Sequence, residues 1–232
     1  MELSIIMPVY NEERTLEKIV SRVQKAKISK VKKEIVIVND ASKDNTEKVI
    51  KQLKKRYKNI KSFSHAKNKG KGAAIQTALK HISGGIIVIQ DGDTEYNPED
   101  FKRLIQPILD NQVKVVYGSR MLGNRTGFVF YSYYFGNKFL TLLTRILYQQ
   151  KITDMETCYK MMSREVIDKI QPLESNRFDI EPEITAKIIK NGYKILEIPI
   201  NYNCRSFEQG KKIRWQDGII AIYKLFKYRF FN

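Results

Sequence analysis

Only two of the 232 residues are cysteines, Cys158 and Cys204, and they lie far apart. Their separation fits no zinc-ligand spacing, and so few thiols in a chain of this size point to a reducing compartment. No run reaches the roughly 18–20 uninterrupted apolar residues that a bilayer crossing needs. No signal-peptide pattern stands at the N-terminus, where Met1-Glu2 leads straight into an apolar run. A soluble or membrane-peripheral protein is therefore expected, at the cytoplasmic side. The glycine-rich segment near residue 70 lacks the G-x-x-x-x-G-K-[ST] spacing of a P-loop. No internal repeat and no low-complexity linker divides the chain, which reads as one unit over 1–232.

Acidic residues are also in short supply. Lys and Arg total 42 against 25 Asp and Glu, a formal net charge of +17. Such a surface attracts polyanions: nucleic acid, anionic lipid headgroups or phosphorylated substrates. Composition alone does not choose among these, and a lysine-rich composition by itself names no partner. A nucleic-acid module would show a recognised fold or aromatics stacked along a basic strand face, and neither is present.

The first half alternates short apolar runs with helical patterns. Leu3–Val9, Glu34–Val38, Ile60–Ser64, Gly85–Gln90 and Val113–Gly118 read as strands. A helix over about Glu12–Ala26 is expected, capped by Asn11, with Leu16, Ile19, Val20 and Val23 on one face. Asp44 and Thr46 open a second helix, Gly70–Ile82 is a third, and Asn97-Pro98 starts a fourth. This alternation predicts an α/β fold with a mostly parallel central sheet and helices on both faces. Ligands bind such sheets at the carboxyl ends of the strands, so the residues there carry the functional reading. The second half brings an aromatic stretch (Phe128–Tyr148), a polar segment (Thr153–Lys160) and a helix near Ser163–Ile170. A further helix over Asp179–Lys190, a strand over Ile195–Tyr202, a basic loop (Arg205–Arg214) and an aromatic, basic helix (Trp215–Phe231) follow.

Asp91-Gly92-Asp93 ends an apolar strand. Two carboxylates one residue apart can share a hard cation such as Mg²⁺ or Mn²⁺, which would in turn hold phosphate oxygens, and Glu95 extends the series as a third ligand. In Pro8-Val9-Tyr10-Asn11-Glu12, Tyr10 offers a face for stacking a nucleobase and Glu12 an acceptor for ribose or a basic neighbour. Asp40 can accept from a base N–H. The segment Asn68–Ala74 places Gly70, Lys71 and Gly72 at a helix N-terminus, an arrangement that favours an anion.

Taken together and in this order, these segments resemble the family 2 glycosyltransferases, which have the GT-A (nucleotide-diphospho-sugar transferase) fold. Within that family the chain is most similar to the polyprenyl- or dolichol-phosphate sugar synthases of the dolichol-phosphate mannosyltransferase kind. The supporting segments are Gly118-Ser119-Arg120, Thr153–Lys160, Phe178–Glu183 and Ile198–Tyr202, followed by Arg205 and Gly210–Ile213. The resemblance implies a nucleotide-sugar-binding half (about 1–120), an acceptor half (about 121–214) and a C-terminal amphipathic helix (about 215–232). It implies that Pro8, Tyr10, Glu12 and Asp40 line the nucleotide pocket, with Lys71 beside them. Asp91 and Asp93, joined by Glu95, would hold Mg²⁺ or Mn²⁺. Arg120 would meet the acceptor phosphate, and Arg205 and Lys212 the donor diphosphate. The expected reaction is an inverting, metal-dependent transfer from a GDP- or UDP-sugar to a polyprenyl or dolichyl phosphate at a membrane surface, with a separate membrane anchor protein as a possible partner and nucleic acid excluded. Extension of a surface polysaccharide or lipid-linked saccharide is the alternative. A hydroxyl acceptor would require a base, for which Asp154 is the candidate, or else that carboxylate orients an arginine. The chain departs from the family pattern at Asn39, at Cys158, which replaces a glycine, and at Lys211, which replaces a serine; the role of Arg125 is left open.

Overall fold

The computed structural model describes residues 2–28, 31–127, 131–205 and 215–231. In chain order they form β1 (Glu2–Val9), α1 (Leu16–Lys25), β2 (Lys32–Asn39), α2 (Thr46–Arg56), β3 (Ile60–Ser64), α3 (Lys71–Leu79) and β4 (Ile86–Ile89). A 3₁₀ turn (Pro98–Asp100) then leads into α4 (Phe101–Leu109), β5 (Val115–Ser119), β6 (Arg125–Gly127) and α5 (Tyr131–Tyr148). The remainder comprises β7 (Lys160–Ser163), α6 (Arg164–Ile170), α7 (Ile180–Lys190), β8 (Ile195–Pro199), β9 (Tyr202–Cys204) and α8 (Trp215–Phe230).

Seven of these strands make one sheet in the order β3-β2-β1-β4-β7-β5-β8. β7 runs antiparallel to both its neighbours, and the other pairings are parallel. Successive residues of β1 from Leu3 to Met7 are fully buried, which requires cover on both faces of the sheet and explains the unbroken apolar runs. Leu16, Ile19, Val20 and Val23 dock α1 with the i, i+3, i+4, i+7 spacing of an amphipathic helix.

Three local expectations are corrected, and one packing detail is added. Asn11 does not cap α1; it sits at φ 51° and ties down the neighbouring loop, its amide donating to Ser42 Oγ (2.9 Å) and its side chain accepting from Lys43 N (2.8 Å). Asparagine tolerates that left-handed conformation, so the chain turns once more before α1 starts at Leu16. The segment read as one strand over 195–202 breaks after Pro199. Asn201 N donates to Asp100 Oδ2 (3.3 Å), and Tyr202–Cys204 leave the main sheet to pair with Arg125–Gly127. The polar motif before Lys160 leads into β7, an inserted antiparallel strand that no strand pattern announced. Finally, the glycines at the start of α3 are packed against the chain at Ser175 and Asn176. A Cβ on Gly72 would lie 2.1 Å from Ser175 O, and Ala73 N donates to Asn176 O (3.0 Å).

Candidate active site

β1 hydrogen-bonds β2 on one side and β4 on the other, so the strand order reverses there. A crevice opens at the carboxyl ends of strands flanking such a reversal. The ends of β1, β2, β4 and β5 deliver Tyr10–Glu12, Asp40, Asp91–Glu95 and Arg120 to that rim.

Arg205, which follows β9, is the hub. Its Nη2 lies 2.6 Å from Asp93 Oδ2, its Nη1 3.4 Å from Glu12 Oε2, and its Nε 3.9 Å from Glu95 Oε2. Its amide donates to Glu95 Oε1 (2.7 Å). Glu12 is fixed further by Thr15, whose hydroxyl donates to its Oε2 (2.5 Å). Gly92 lets the loop pass over β1, since a Cβ there would stand 2.7 Å from Val9 Cγ1. Burial and the adjacent Glu95 carboxylate push Asp93 up to about 8, against the pull of Arg205.

Asp91 belongs to a second charge group. Its Oδ1 lies 2.8 Å from Lys71 Nζ, which is also 3.0 Å from Glu181 Oε1 on α7. Glu181 Oε2 pairs with Lys160 Nζ at 2.5 Å, and Lys160, fully buried, also donates to Met155 O (2.8 Å) and Thr157 O (2.6 Å). Burial opposes ionisation of Asp91, but Lys71 outweighs it and holds this carboxyl below its usual range.

Arg120 and Asp154 form the third group. Arg120 Nε donates to Asp154 Oδ2 and Nη2 to Oδ1, each at 2.8 Å, in a bidentate fork. Asn137 donates to the same carboxylate (2.9 Å), and Glu197 on β8 accepts from the amides of Thr153 (2.7 Å) and Asp154 (3.0 Å). The guanidinium also lies over the Tyr202 ring, 5.2 Å from its centroid. Asp154 is fully buried; burial would raise its pKa, but Arg120 overrides that and keeps it low.

The rim thus gathers Glu12, Asp91, Asp93, Glu95 and Arg205, with Lys71 behind Asp91 and the Arg120 fork to one side. Tyr10 is half-buried at the end of β1, while Pro8 is buried within that strand, in register with Val38. Asp40 is engaged inside the protein. It accepts from Lys69 N (2.8 Å), Gly70 N (2.7 Å) and His65 Nδ1 (2.7 Å), and so shapes the loop before α3. Lys212 lies outside the described residues. Sequence reading assigned no role to Lys160, Glu181, Asn137, Glu197 or Tyr202. The one signal available was a charged side chain inside an otherwise apolar segment, as for Lys160 beside Met161-Met162.

Among the described residues no group of three or more His, Cys, Asp or Glu stands ready-made around a metal ion. The donor set still fits one. Mg²⁺ and Mn²⁺ prefer carboxylate oxygen, and Mg²⁺ usually takes only one or two carboxylates, completing its shell with water and substrate phosphate.

A rim of this kind on this sheet defines a GT-A glycosyltransferase fold. Glucosyl-3-phosphoglycerate synthase from Mycobacterium tuberculosis, crystallised with UDP, superposes with a TM-score of 0.73 over 98% of this chain and 79% of its own, at 16% identity. TarS residues 1–349 from S. aureus, crystallised with UDP-GlcNAc, gives a TM-score of 0.67 over 100% and 68% of the two chains, at 18% identity. Residues 4–171 match the model of Glycosyl transferase family 2, and the chain belongs to that family. It is 32% identical to a dolichyl-phosphate beta-glucosyltransferase of Trichomonas vaginalis, over 87% of this chain and 65% of that protein. It is 28% identical to the UDP-N-acetylglucosamine–dolichyl-phosphate N-acetylglucosaminyltransferase of Methanococcus voltae (95% and 93%), and 30% identical to a dolichol-phosphate mannosyltransferase of Pyrococcus furiosus (91% and 59%). The chain therefore spans under two thirds of the Trichomonas and Pyrococcus proteins but nearly all of the Methanococcus one.

Proposed function

We propose that this protein transfers a sugar from a GDP- or UDP-sugar to a polyprenyl or dolichyl phosphate, with inversion, using Mg²⁺ or Mn²⁺. The observation that carries this reading is the placement of three charge groups on one rim: Asp93 with Arg205, Asp91 with Lys71, and the Arg120 fork. Three relatives named as transferases acting on dolichyl or dolichol phosphate support it. Solved neighbours crystallised with UDP and Mn²⁺ or Mg²⁺ support a divalent ion.

In this mechanism Asp91 and Asp93, with Glu95 alongside, would hold the ion. When bound it supplies positive charge to the leaving diphosphate. Arg205 adds a fixed guanidinium to the same oxygens, and its ion pairs with Glu12 and Asp93 keep it aimed without reorganisation. Tyr10 and Glu12 face the nucleoside. Arg120 binds the acceptor phosphate, its direction set by Asp154. A phosphate acceptor is ionised near neutral pH and attacks the anomeric carbon directly, so no protein base is needed. Asp154, buried and forked to Arg120, is suited to orientation and not to proton abstraction, which disfavours a hydroxyl acceptor.

A lipid-borne acceptor requires contact with a bilayer. Along α5, Tyr131, Phe135, Phe139, Leu142 and Ile146 are exposed in one stripe, and along α8, Trp215, Ile219, Tyr223, Phe226 and Phe230 form another. The two helices pack together, Tyr148 donating to Leu225 O at 2.7 Å. Flanked by Lys138, Arg145 and Arg229, this face suits an anionic membrane interface. Among the described residues no helix is long and apolar enough to cross a membrane. We read the protein as peripheral, at the cytoplasmic leaflet, alone or beside an anchoring membrane protein.

The test is a panel of UDP-glucose, UDP-N-acetylglucosamine and GDP-mannose with polyprenyl phosphate in detergent. One donor should label the lipid phosphate and leave the matching free prenol unlabelled. Labelling of saccharide hydroxyls instead would overturn the acceptor assignment.

A further inference from the structure

Lys71 stands where a protein cation is unhelpful to the proposed ion site. At 2.8 Å from Asp91 it neutralises one of the two carboxylates that would hold a dication, and the same ammonium would repel that dication at close range. From the same position the ammonium already reaches a second carboxylate. Glu181 Oε1 lies 3.0 Å from Lys71 Nζ, within ion-pair distance, yet this buried oxygen accepts no hydrogen bond. A buried carboxylate oxygen left without a hydrogen bond is costly, so a partner that can turn toward it is drawn there. Glu181 itself is held still: its other oxygen is paired with Lys160, which is anchored in turn on the carbonyls of Met155 and Thr157. Asp91, Lys71, Glu181 and Lys160 therefore form a line of alternating charge running from the rim into the protein.

We propose that Glu181 is a positioning residue for the divalent-ion site: it retains the Lys71 ammonium, which already bridges both carboxylates, when Asp91 engages the ion, so that Lys71 can release Asp91 without losing its charge partner. This rests on the assignment of Asp91 as an ion ligand. Glu181 never touches the ion or the substrates; it acts through Lys71.

The discriminating measurement is Mn²⁺ binding by electron paramagnetic resonance, with and without UDP, on folded protein. Glu181→Gln keeps the shape but removes the charge that draws Lys71 off Asp91, and about a tenfold loss of Mn²⁺ affinity is expected. Because that variant leaves Lys160 buried with a neutral partner, the double variant Lys160→Met/Glu181→Gln is measured beside it, with thermal unfolding recorded for both. The double variant should recover stability and keep the weakened Mn²⁺ binding, and Glu181→Asp should restore part of the affinity. Wild-type affinity in the folded double variant would overturn the role of Glu181 while leaving the Asp91 assignment intact. Absence of Mn²⁺ binding in the wild-type protein would instead remove the ion assignment, and this inference with it.

Discussion

Arg205 and Asp93, 112 residues apart in sequence, meet in an ion pair of 2.6 Å at the centre of the rim. The arginine arrives there only because β9 leaves the main sheet, and its guanidinium is shared with Glu12 and Glu95. One cation thus holds three carboxylates from two strand ends. Arg205→Ala should lower kcat by about 10²–10³-fold, the scale of losing one preorganised charge donor at a leaving group. Mn²⁺ binding should tighten in the same variant, because a competing positive charge is gone. Arg205→Lys should recover only part of the rate, since an ammonium lacks the planar fork. Steady-state kinetics and Mn²⁺ titration of both variants check this.

The fork between Arg120 and Asp154 separates two roles for the same carboxylate. If Asp154 acts by aiming Arg120, removing it matters only while the arginine is present. Arg120→Ala and Asp154→Ala should each raise the KM for acceptor phosphate, by about tenfold or more, and the double variant should be scarcely worse than Arg120→Ala alone. Multiplying losses in the double-mutant cycle would restore an independent role for Asp154, proton abstraction included.

At the far end of the sheet Glu34 supports the fold and not the chemistry. It accepts hydrogen bonds from the Ser4 hydroxyl, Ser83 N, Ser83 Oγ (2.9 Å) and Gly84 N (3.0 Å), and pairs with Lys61 (2.9 Å). Burial works against its charge, but the Lys61 ammonium and these donors prevail and lower its pKa to about 2, from an ordinary 4.5. A carboxyl depressed on folding stabilises the protein above its unfolded pKa, and that contribution fades as pH falls from about 4.5 toward 2. Glu34→Gln should lower stability at pH 7 by roughly 1–3 kcal/mol, leave kcat unchanged, and differ less from wild type at pH 3. Thermal unfolding at the two pH values measures this.

How much of this was legible beforehand differs by element. β1, β2 and β4 declared themselves as unbroken apolar runs, and Asp91, Asp93 and Arg120 could be placed on the rim because strands of a parallel sheet end there. β7 was hidden because Lys160, a charged residue, begins a mostly buried strand; its distant partner Glu181 and the carbonyls of Met155 and Thr157 make that tolerable. The split between β8 and β9 depends on Asp100 capturing Asn201 N, a contact across 101 residues that no local pattern encodes. The glycines at the start of α3 suggested close approach by an anion, and no local pattern signalled that the carbonyls of Ser175 and Asn176 pack against them. Local periodicity reports burial, whereas the pairing of buried charges and the close approach of remote backbone are tertiary facts.

The exposed stripes on α5 and α8 give a prediction about where transfer takes place. Phe135 and Tyr223 are each 62% exposed, so Phe135→Glu/Tyr223→Glu should fold normally. Co-sedimentation with anionic vesicles should fall at least tenfold. Transfer to a short, water-soluble prenyl phosphate should persist while transfer to a long-chain phosphate embedded in vesicles is lost. Equal loss with both acceptors would place these residues in the catalytic fold and not at a bilayer.

The most direct test of the central reading is transfer by Asp93→Ala. With the accepted nucleotide-sugar, polyprenyl phosphate and Mn²⁺ supplied, the purified, folded variant should form no lipid-linked sugar above background, and wild type should fall equally silent in excess chelator. Transfer at the wild-type rate in the variant, or in chelator-treated wild-type enzyme, would contradict the claim that these rim carboxylates hold an ion against the departing diphosphate.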